Sequence, residues 1–179
     1  MVVLTNPGNP TGVAIPEEVL RRAADVTARH NCWLVVDNTY EHFSGGWYAE
    51  LNGGPGHVTL EKEPAAEAAG VGYPNVVNIF SFSKAFGMMG WRVGYIVAPS
   101  ELTPDLQKAQ DTIAICPTAL SQEVAAAALA EGRGWVDGQV ASLKQNYETV
   151  RAALDRSVGA GNVMGGTGAL CESKLIGMR

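Results

Sequence analysis

Cys32-Trp33-Leu34-Val35-Val36-Asp37 is an almost wholly apolar run that stops on a carboxylate. A strand covered on both faces of a parallel sheet reads this way, without the alternation of a half-exposed strand. The residues before it predict a helix from Pro16 to about His30. Proline suits the first helical position, and Glu17 and Glu18 suit the positive end of the helix dipole. Val19, Leu20, Ala23, Val26 and Thr27 form one face, and Asn31 can close the helix. Further upstream, Val2-Val3-Leu4-Thr5 is a second short apolar run, followed at once by turn residues, and reads as a buried strand. Strand, helix and strand joined by short links make a βαβ unit with a right-handed crossover, so the chain is α/β.

Downstream, residues 44–74 are rich in Gly, Pro and Ala and read as a long excursion with one short helix near 63–69. Apolar runs predict strands over 75–80 and 93–98. Helices follow over 101–114, up to a break at Cys116-Pro117, and over 118–131, with Glu123 near its N-terminal end. A long helix from Gly134 to Ser157 carries Val136, Val140, Leu143, Tyr147, Val150 and Leu154 as one stripe, which is expected to be packing. It is long enough to link two domains. The expected division is 1–133 as part of a larger domain, 134–158 as the linking helix and 159–179 as the start of a smaller domain. Both ends read as those of a piece: a buried strand needs neighbours on both sides, and no strand precedes Val2.

Composition narrows the function classes. Of 179 residues, 46% are hydrophobic and 17% charged, which excludes a disordered, charge-rich chain. A net charge of −5 argues against nucleic-acid binding through bulk charge. No apolar run approaches the roughly 18 residues needed to span a bilayer, and there is no secretory n-region and h-region. Cys32, Cys116 and Cys171 are too far apart for a disulfide framework or a CxxC pair, so a reducing compartment, the cytoplasm, is expected. His30, His42 and His57 lack metal-ligand spacing. Gly161 to Gly168 lacks the pattern of a nucleotide phosphate loop. Met88, Met89, Trp33, Trp47, Trp91 and Trp135 read as packing residues, and Cys116 as a small buried one.

Four sets of polar residues lie at or just past strand ends: Asn9, Asp37 with Tyr40, Ser81 to Lys84, and Arg92. Open α/β sheets bind ligands at the carboxyl ends of their strands. Singly, each has a plainer reading as a turn residue, a cap, a solvated charge or an ion-pair partner. Together they sit on one rim.

The segments Asn6-Pro7-Gly8-Asn9-Pro10-Thr11-Gly12, Asp37-Asn38-Thr39-Tyr40, Ser81-Phe82-Ser83-Lys84-Ala85-Phe86-Gly87 and Gly90-Trp91-Arg92-Val93-Gly94-Tyr95 resemble, in this order, the class I and II aminotransferases. These are pyridoxal 5′-phosphate enzymes of the aspartate-aminotransferase fold. The resemblance covers residues 2 to about 158. It implies a three-layer α/β/α, mostly parallel sheet, present in part and followed by the long linking helix. It also implies that the chain is a fragment. Lys84 matches the family's Schiff-base lysine, whose amine holds the cofactor's aldehyde and then moves a proton. Asp37 matches the carboxylate that keeps the pyridine nitrogen protonated. Tyr40 and Asn9 match residues that hydrogen-bond the ring's 3′-oxygen, and the Asn9-Pro10 bond is expected to be cis. Ser81 and Arg92 match the phosphate ligands, with Ser83 a weaker neighbour. No metal is implied.

The implied reaction is transamination between an amino acid and a 2-oxo acid, in a homodimer. Asp37-Asn38-Thr39-Tyr40-Glu41 and the run around Lys84 look most like plant and algal aromatic aminotransferases, so an aromatic or methionine-type donor is expected. Two other readings share these residues. One is a lyase or synthase on the same fold, such as a carbon–sulfur lyase or an aminocyclopropane-carboxylate synthase. The other is a truncated chain that binds no cofactor or acts only by pairing with a full-length subunit. In the family, the helix that cradles the phosphate and the aromatic residue that stacks on the ring come from sequence before residue 1. The arginine that clamps the substrate carboxylate comes from sequence after Arg179.

Overall fold

Parallel pairing of the two apolar runs that open the chain sets the architecture. The computed structural model describes residues 1–43 and 73–163, which hold four strands and four α-helices. In chain order these are β1 (Val2–Thr5), α1 (Glu17–Arg29), β2 (Leu34–Asp37), β3 (Val76–Ser81), β4 (Gly94–Val97), α2 (Thr103–Ile113), α3 (Ala119–Ala130) and α4 (Gly134–Val158). The sheet order is β1-β2-β3-β4, with β1, β2 and β3 parallel and β4 antiparallel to β3. Thr5 stands opposite Asp37, Asp37 opposite Ile79, and Ser81 opposite Gly94. The three parallel strands therefore end on the rim where the antiparallel strand begins. The α/β class and the mostly parallel sheet agree with the sequence reading. The excursion and its helix near 63–69, and the residues after 163, lie outside the described residues.

The core explains why α1 lies where it does. Leu20 and Ala24 of α1, both fully buried, pack on Leu34, Val36 and Val76 of the sheet. Burying a leucine side chain contributes about 1.5–3 kcal/mol, so this cluster anchors the βαβ unit. Two further clusters lie past the end of β3. Phe82, Met88 and Val93 pack on Ala125 of α3, and Ala85 packs with Phe43 on Val136 and Val140 of α4. The segment that follows β3 is thus gripped by both later helices. Thr118 caps α3, its Oγ1 accepting from the Ser121 N–H at 3.2 Å. Such a cap contributes about 1 kcal/mol.

Several expectations are corrected. The β1 strand is an edge, paired only with β2 among the described residues, and Val2 and Val3 are 41% and 57% exposed. Burial on both sides needs a second neighbouring strand, and no described residue supplies one. The face of α1 is rotated from the expected one: Leu20, Ala24 and Thr27 are buried, while Val19 and Val26 are exposed. Pro16 is the N-cap of α1 rather than its first helical residue, with an extended ψ of 145°. Asn31 does close the helix, at φ 51°. The helix expected from 101 opens with a 3-10 turn at Ser100–Leu102. Cys116 is exposed, because it follows the left-handed residue Ile115 out of α2 instead of turning inward. Met89, Trp91 and Trp135 are exposed too, whereas Met88 packs. The α4 stripe packs most closely at its start: Val136 and Val140 are buried and Leu143 packs on them in part, whereas Val150 is half exposed.

One glycine is fixed by its neighbour. A Cβ on Gly94 would lie 2.5 Å from the Phe80 carbonyl oxygen, a backbone atom that cannot move aside without opening the β3–β4 pairing. Gly94→Ala is therefore expected to lower stability by roughly 1–3 kcal/mol, read as a fall in the thermal midpoint. An unchanged midpoint would show that the two strands separate more easily than their register implies.

Candidate active site

Each residue at the rim is placed by backbone bonds that its own segment makes. The loop after β1 is closed by Gly8 N–H to Val13 O at 2.8 Å and Gly12 N–H to Gly8 O at 2.7 Å. Asn6 is completely buried at its base, and its Oδ1 accepts from the Ile15 N–H at 2.7 Å. The Asn6 N–H donates to Asp37 O at 2.9 Å, which ties the loop to β2. Asn9 stands exposed at the tip, and both Asn6-Pro7 and Asn9-Pro10 are cis.

Asp37 is the last residue of β2 and is half-buried. Alternation along paired strands puts its side chain on the same sheet face as those of Thr5, Ile79 and Ser81, opposite the face that α1 covers. Its Oδ1 accepts from the Thr39 N–H at 3.0 Å and from the Thr39 hydroxyl at 2.6 Å. Asn38, between them, is buried; its N–H donates to Ile79 O at 2.8 Å and its Nδ2 to Asn78 Oδ1 at 3.1 Å. A 3-10 turn, Glu41–Phe43, then carries the chain past Tyr40. The Asn9 Nδ2 donates to the Tyr40 hydroxyl at 3.3 Å, joining two residues 31 positions apart.

Lys84 sits on the turn after β3. Phe82 and Ala85, 3% and 4% exposed, anchor that turn in two separate clusters, and Gly87 N–H closes it on Lys84 O at 3.1 Å. With its neighbours held inward, Lys84 is exposed and makes no side-chain hydrogen bond or ion pair with a described residue. Ser81 Oγ accepts from the Ser83 N–H at 3.1 Å, which leaves the Ser81 hydroxyl proton for another acceptor.

Arg92 arrives by a different route. It stands at φ 52°, uncommon for a residue with a side chain, and its Nη1 donates to Met89 O at 2.9 Å. It lines a cavity of about 790 Å³ with Trp91, Gln110, Cys116 and Ser121, whereas Ser81 lines a smaller one of about 240 Å³ with His42, Phe86 and Arg133. The structure thus joins Asn9 to Tyr40 and Ser81 to Ser83, and puts Asp37 and Ser81 on one face. It places Arg92 near the same rim through Gly94, but with its guanidinium turned to its own loop. Sequence motifs missed Thr39, Asn38 and Asn78; only an Asp followed two residues later by a hydroxyl side chain hinted at the first.

Among the described residues no helix is long and apolar enough to cross a membrane, and no three His, Cys, Asp or Glu side chains cluster as metal ligands. The donor set suits pyridoxal 5′-phosphate: an amine and a carboxylate oxygen that have no partner among the described residues, a phenol paired with an amide, and a serine hydroxyl with its proton to give.

Known proteins resemble this chain over most of its length. The model of the family described as aminotransferase class I and II matches residues 1–171. An aromatic aminotransferase of Arabidopsis thaliana is 42% identical over 173 residues, covering 95% of this chain and 39% of that protein. A bifunctional aspartate aminotransferase and glutamate/aspartate-prephenate aminotransferase of Petunia hybrida is 32% identical over 161 residues, covering 89% and 30%. The solved structure of an aminotransferase from Mycobacterium tuberculosis matches with a TM-score of 0.71 at 30% identity, over 87% of this chain and 36% of that one. The chain spans between 30% and 39% of the length of these two curated relatives.

Proposed function

The chain belongs to the class I and II aminotransferases, and from that premise we propose that the protein transfers an amino group from an amino acid to a 2-oxo acid on pyridoxal 5′-phosphate. The observation that carries the proposal is the rim itself. Three parallel strands deliver Asn9, Asp37, Tyr40, Ser81 and Lys84 to one edge of one sheet. Bound pyridoxal 5′-phosphate supplies an aldehyde that captures amines and a ring that accepts the electron pair left at the substrate Cα.

The chain's own residues divide the remaining work. Lys84 is the residue whose amine would hold the cofactor's aldehyde. The same amine, once free, would move the proton at the substrate Cα. Asp37 would set a carboxylate oxygen against the ring nitrogen and so favour its protonated form. Tyr40 and Asn9, already bonded to each other, would donate to the 3′-oxygen of the ring. Ser81, with Ser83 beside it, would hold the phosphate, and Arg92 would join them if its guanidinium left Met89 O. The donor we propose is an aromatic or methionine-type amino acid, and similarity to the Arabidopsis aromatic aminotransferase supports the aromatic choice. We also propose that the working form is a homodimer, since family members share active sites between subunits.

The test is to load the purified protein with pyridoxal 5′-phosphate, reduce it with borohydride and map the modified residue. Label concentrated on Lys84, together with oxo-acid-dependent loss of amine from the donor, is the expected result. Label scattered over surface lysines would overturn the site. Release of pyruvate and ammonia from a sulfur amino acid without any oxo acid would replace transamination by a lyase reaction.

A further inference from the structure

Thr39 holds the carboxylate on which this chemistry depends. Both of its donors reach the same oxygen of Asp37: the N–H at 3.0 Å and the hydroxyl at 2.6 Å meet at Oδ1. A carboxylate oxygen offers about two lone-pair sites, so Oδ1 is filled. Oδ2 accepts no hydrogen bond from a described residue and is the oxygen left for an incoming N–H. Turning the carboxylate about Cβ–Cγ would break two charge-assisted bonds at once.

The N–H bond alone is an ordinary turn contact that any residue except proline would make at position 39. The hydroxyl bond is the additional feature, and only threonine or serine supplies it. Threonine also arrives with a restricted χ1, so its hydroxyl is aimed before anything binds. Its two neighbours are fixed from other strands: Asn38 by Ile79 O and the buried Asn78, and Tyr40 by Asn9. Thr39 has little room to follow the carboxylate if the carboxylate turns.

We propose that Thr39 is a positioning residue whose hydroxyl locks the Asp37 carboxylate so that Oδ2 faces the pyridine nitrogen of the cofactor. The inference rests on the role given to Asp37 above. Its function is to prepare the ion pair with the ring nitrogen and not to touch the cofactor. Preorganisation of this kind shows as selectivity for a ligand that bears the group being met.

The experiment compares the affinity of the purified protein for pyridoxal 5′-phosphate with that for its 1-deaza analogue, in which a carbon replaces the ring nitrogen. The ratio is measured for the unsubstituted protein and for Thr39→Val, Thr39→Ser and Asp37→Asn. Any loss of folded protein affects both ligands equally and cancels in the ratio. The unsubstituted protein is expected to prefer the natural cofactor, and Thr39→Val to narrow that preference roughly five- to tenfold. Thr39→Ser is expected to restore most of it. A Thr39→Val ratio equal to that of the unsubstituted protein, while Asp37→Asn abolishes the preference, would overturn the role of Thr39 and leave Asp37 standing. No preference in the unsubstituted protein would overturn both.

Discussion

Lys84→Ala should yield a protein that takes up no borohydride-fixed cofactor and transfers amine roughly a hundred- to ten-thousand-fold more slowly. The size of the effect follows from two tasks resting on one nitrogen. In the proposed reaction the amine is both the covalent anchor and the proton carrier, and no second lysine lies on the rim segments to replace it. Its neighbours carry the structural load of the turn. Phe82 and Ala85 are buried in separate clusters, while the Lys84 side chain is exposed and bonded to no described residue. Its removal should therefore leave thermal stability within about 0.5 kcal/mol, as for other surface substitutions. Lys84→Arg sharpens the test, since it keeps the charge but presents a guanidinium that stays protonated and cannot serve as the nucleophile. It should be as inactive as the alanine variant. An arginine variant that retained most of the activity would show that position 84 contributes charge alone.

The second large effect is expected at Asp37. In Asp37→Asn the side-chain oxygen can still accept from both donors of Thr39, so the local turn survives. The other oxygen becomes an NH₂ group, which meets a ring N–H donor to donor and brings no negative charge. The ring nitrogen then loses the partner that keeps its proton, and the ring becomes a poorer acceptor for the electron pair from Cα. The loss belongs to the step in which charge develops, so kcat should fall by about two to three orders of magnitude while KM changes much less. A variant in which KM rises and kcat is preserved would make Asp37 a binding residue only.

Much of this arrangement is legible in the residues. The runs ending at Thr5, Asp37 and Ser81 are mostly apolar, and that pattern locates three strand ends and hence the rim. The helix α4 is legible because apolar residues at alternating steps of three and four fall on one side only when the backbone turns every 3.6 residues. Burial is less legible, because it belongs to a pair of surfaces and not to one. Val3 is as apolar as Val36, yet among the described residues β1 has one strand beside it and β2 has two. The buried face of α1 differs from the expected one for a similar reason. Val19 and Val26 flank the stripe that Leu20, Ala24 and Thr27 turn to the sheet, and small Ala24 fits closer than a valine would. The motif groups Arg92 with Ser81, but the orientation of Arg92 depends on a left-handed backbone and a nearby carbonyl, which no spacing encodes. Thr39 is hidden from motif reading because its hydroxyl bond spans two residues and depends on their dihedral angles.

The parallel register has a consequence for how such a chain changes over time. Along the polypeptide, Asp37 and Lys84 are 47 residues apart. Across the sheet they belong to adjacent strands, because Asp37 is locked opposite Ile79 and Lys84 follows five residues later. The spacing that the chemistry reads is set by ladder hydrogen bonds, not by the length of chain spliced between them. In general, doubling the length of a loop costs only about 0.6 kcal/mol in closure entropy. Lineages can therefore insert, trim or rewrite that connection with the catalytic ruler intact, and so vary what surrounds the reaction without altering the reaction itself.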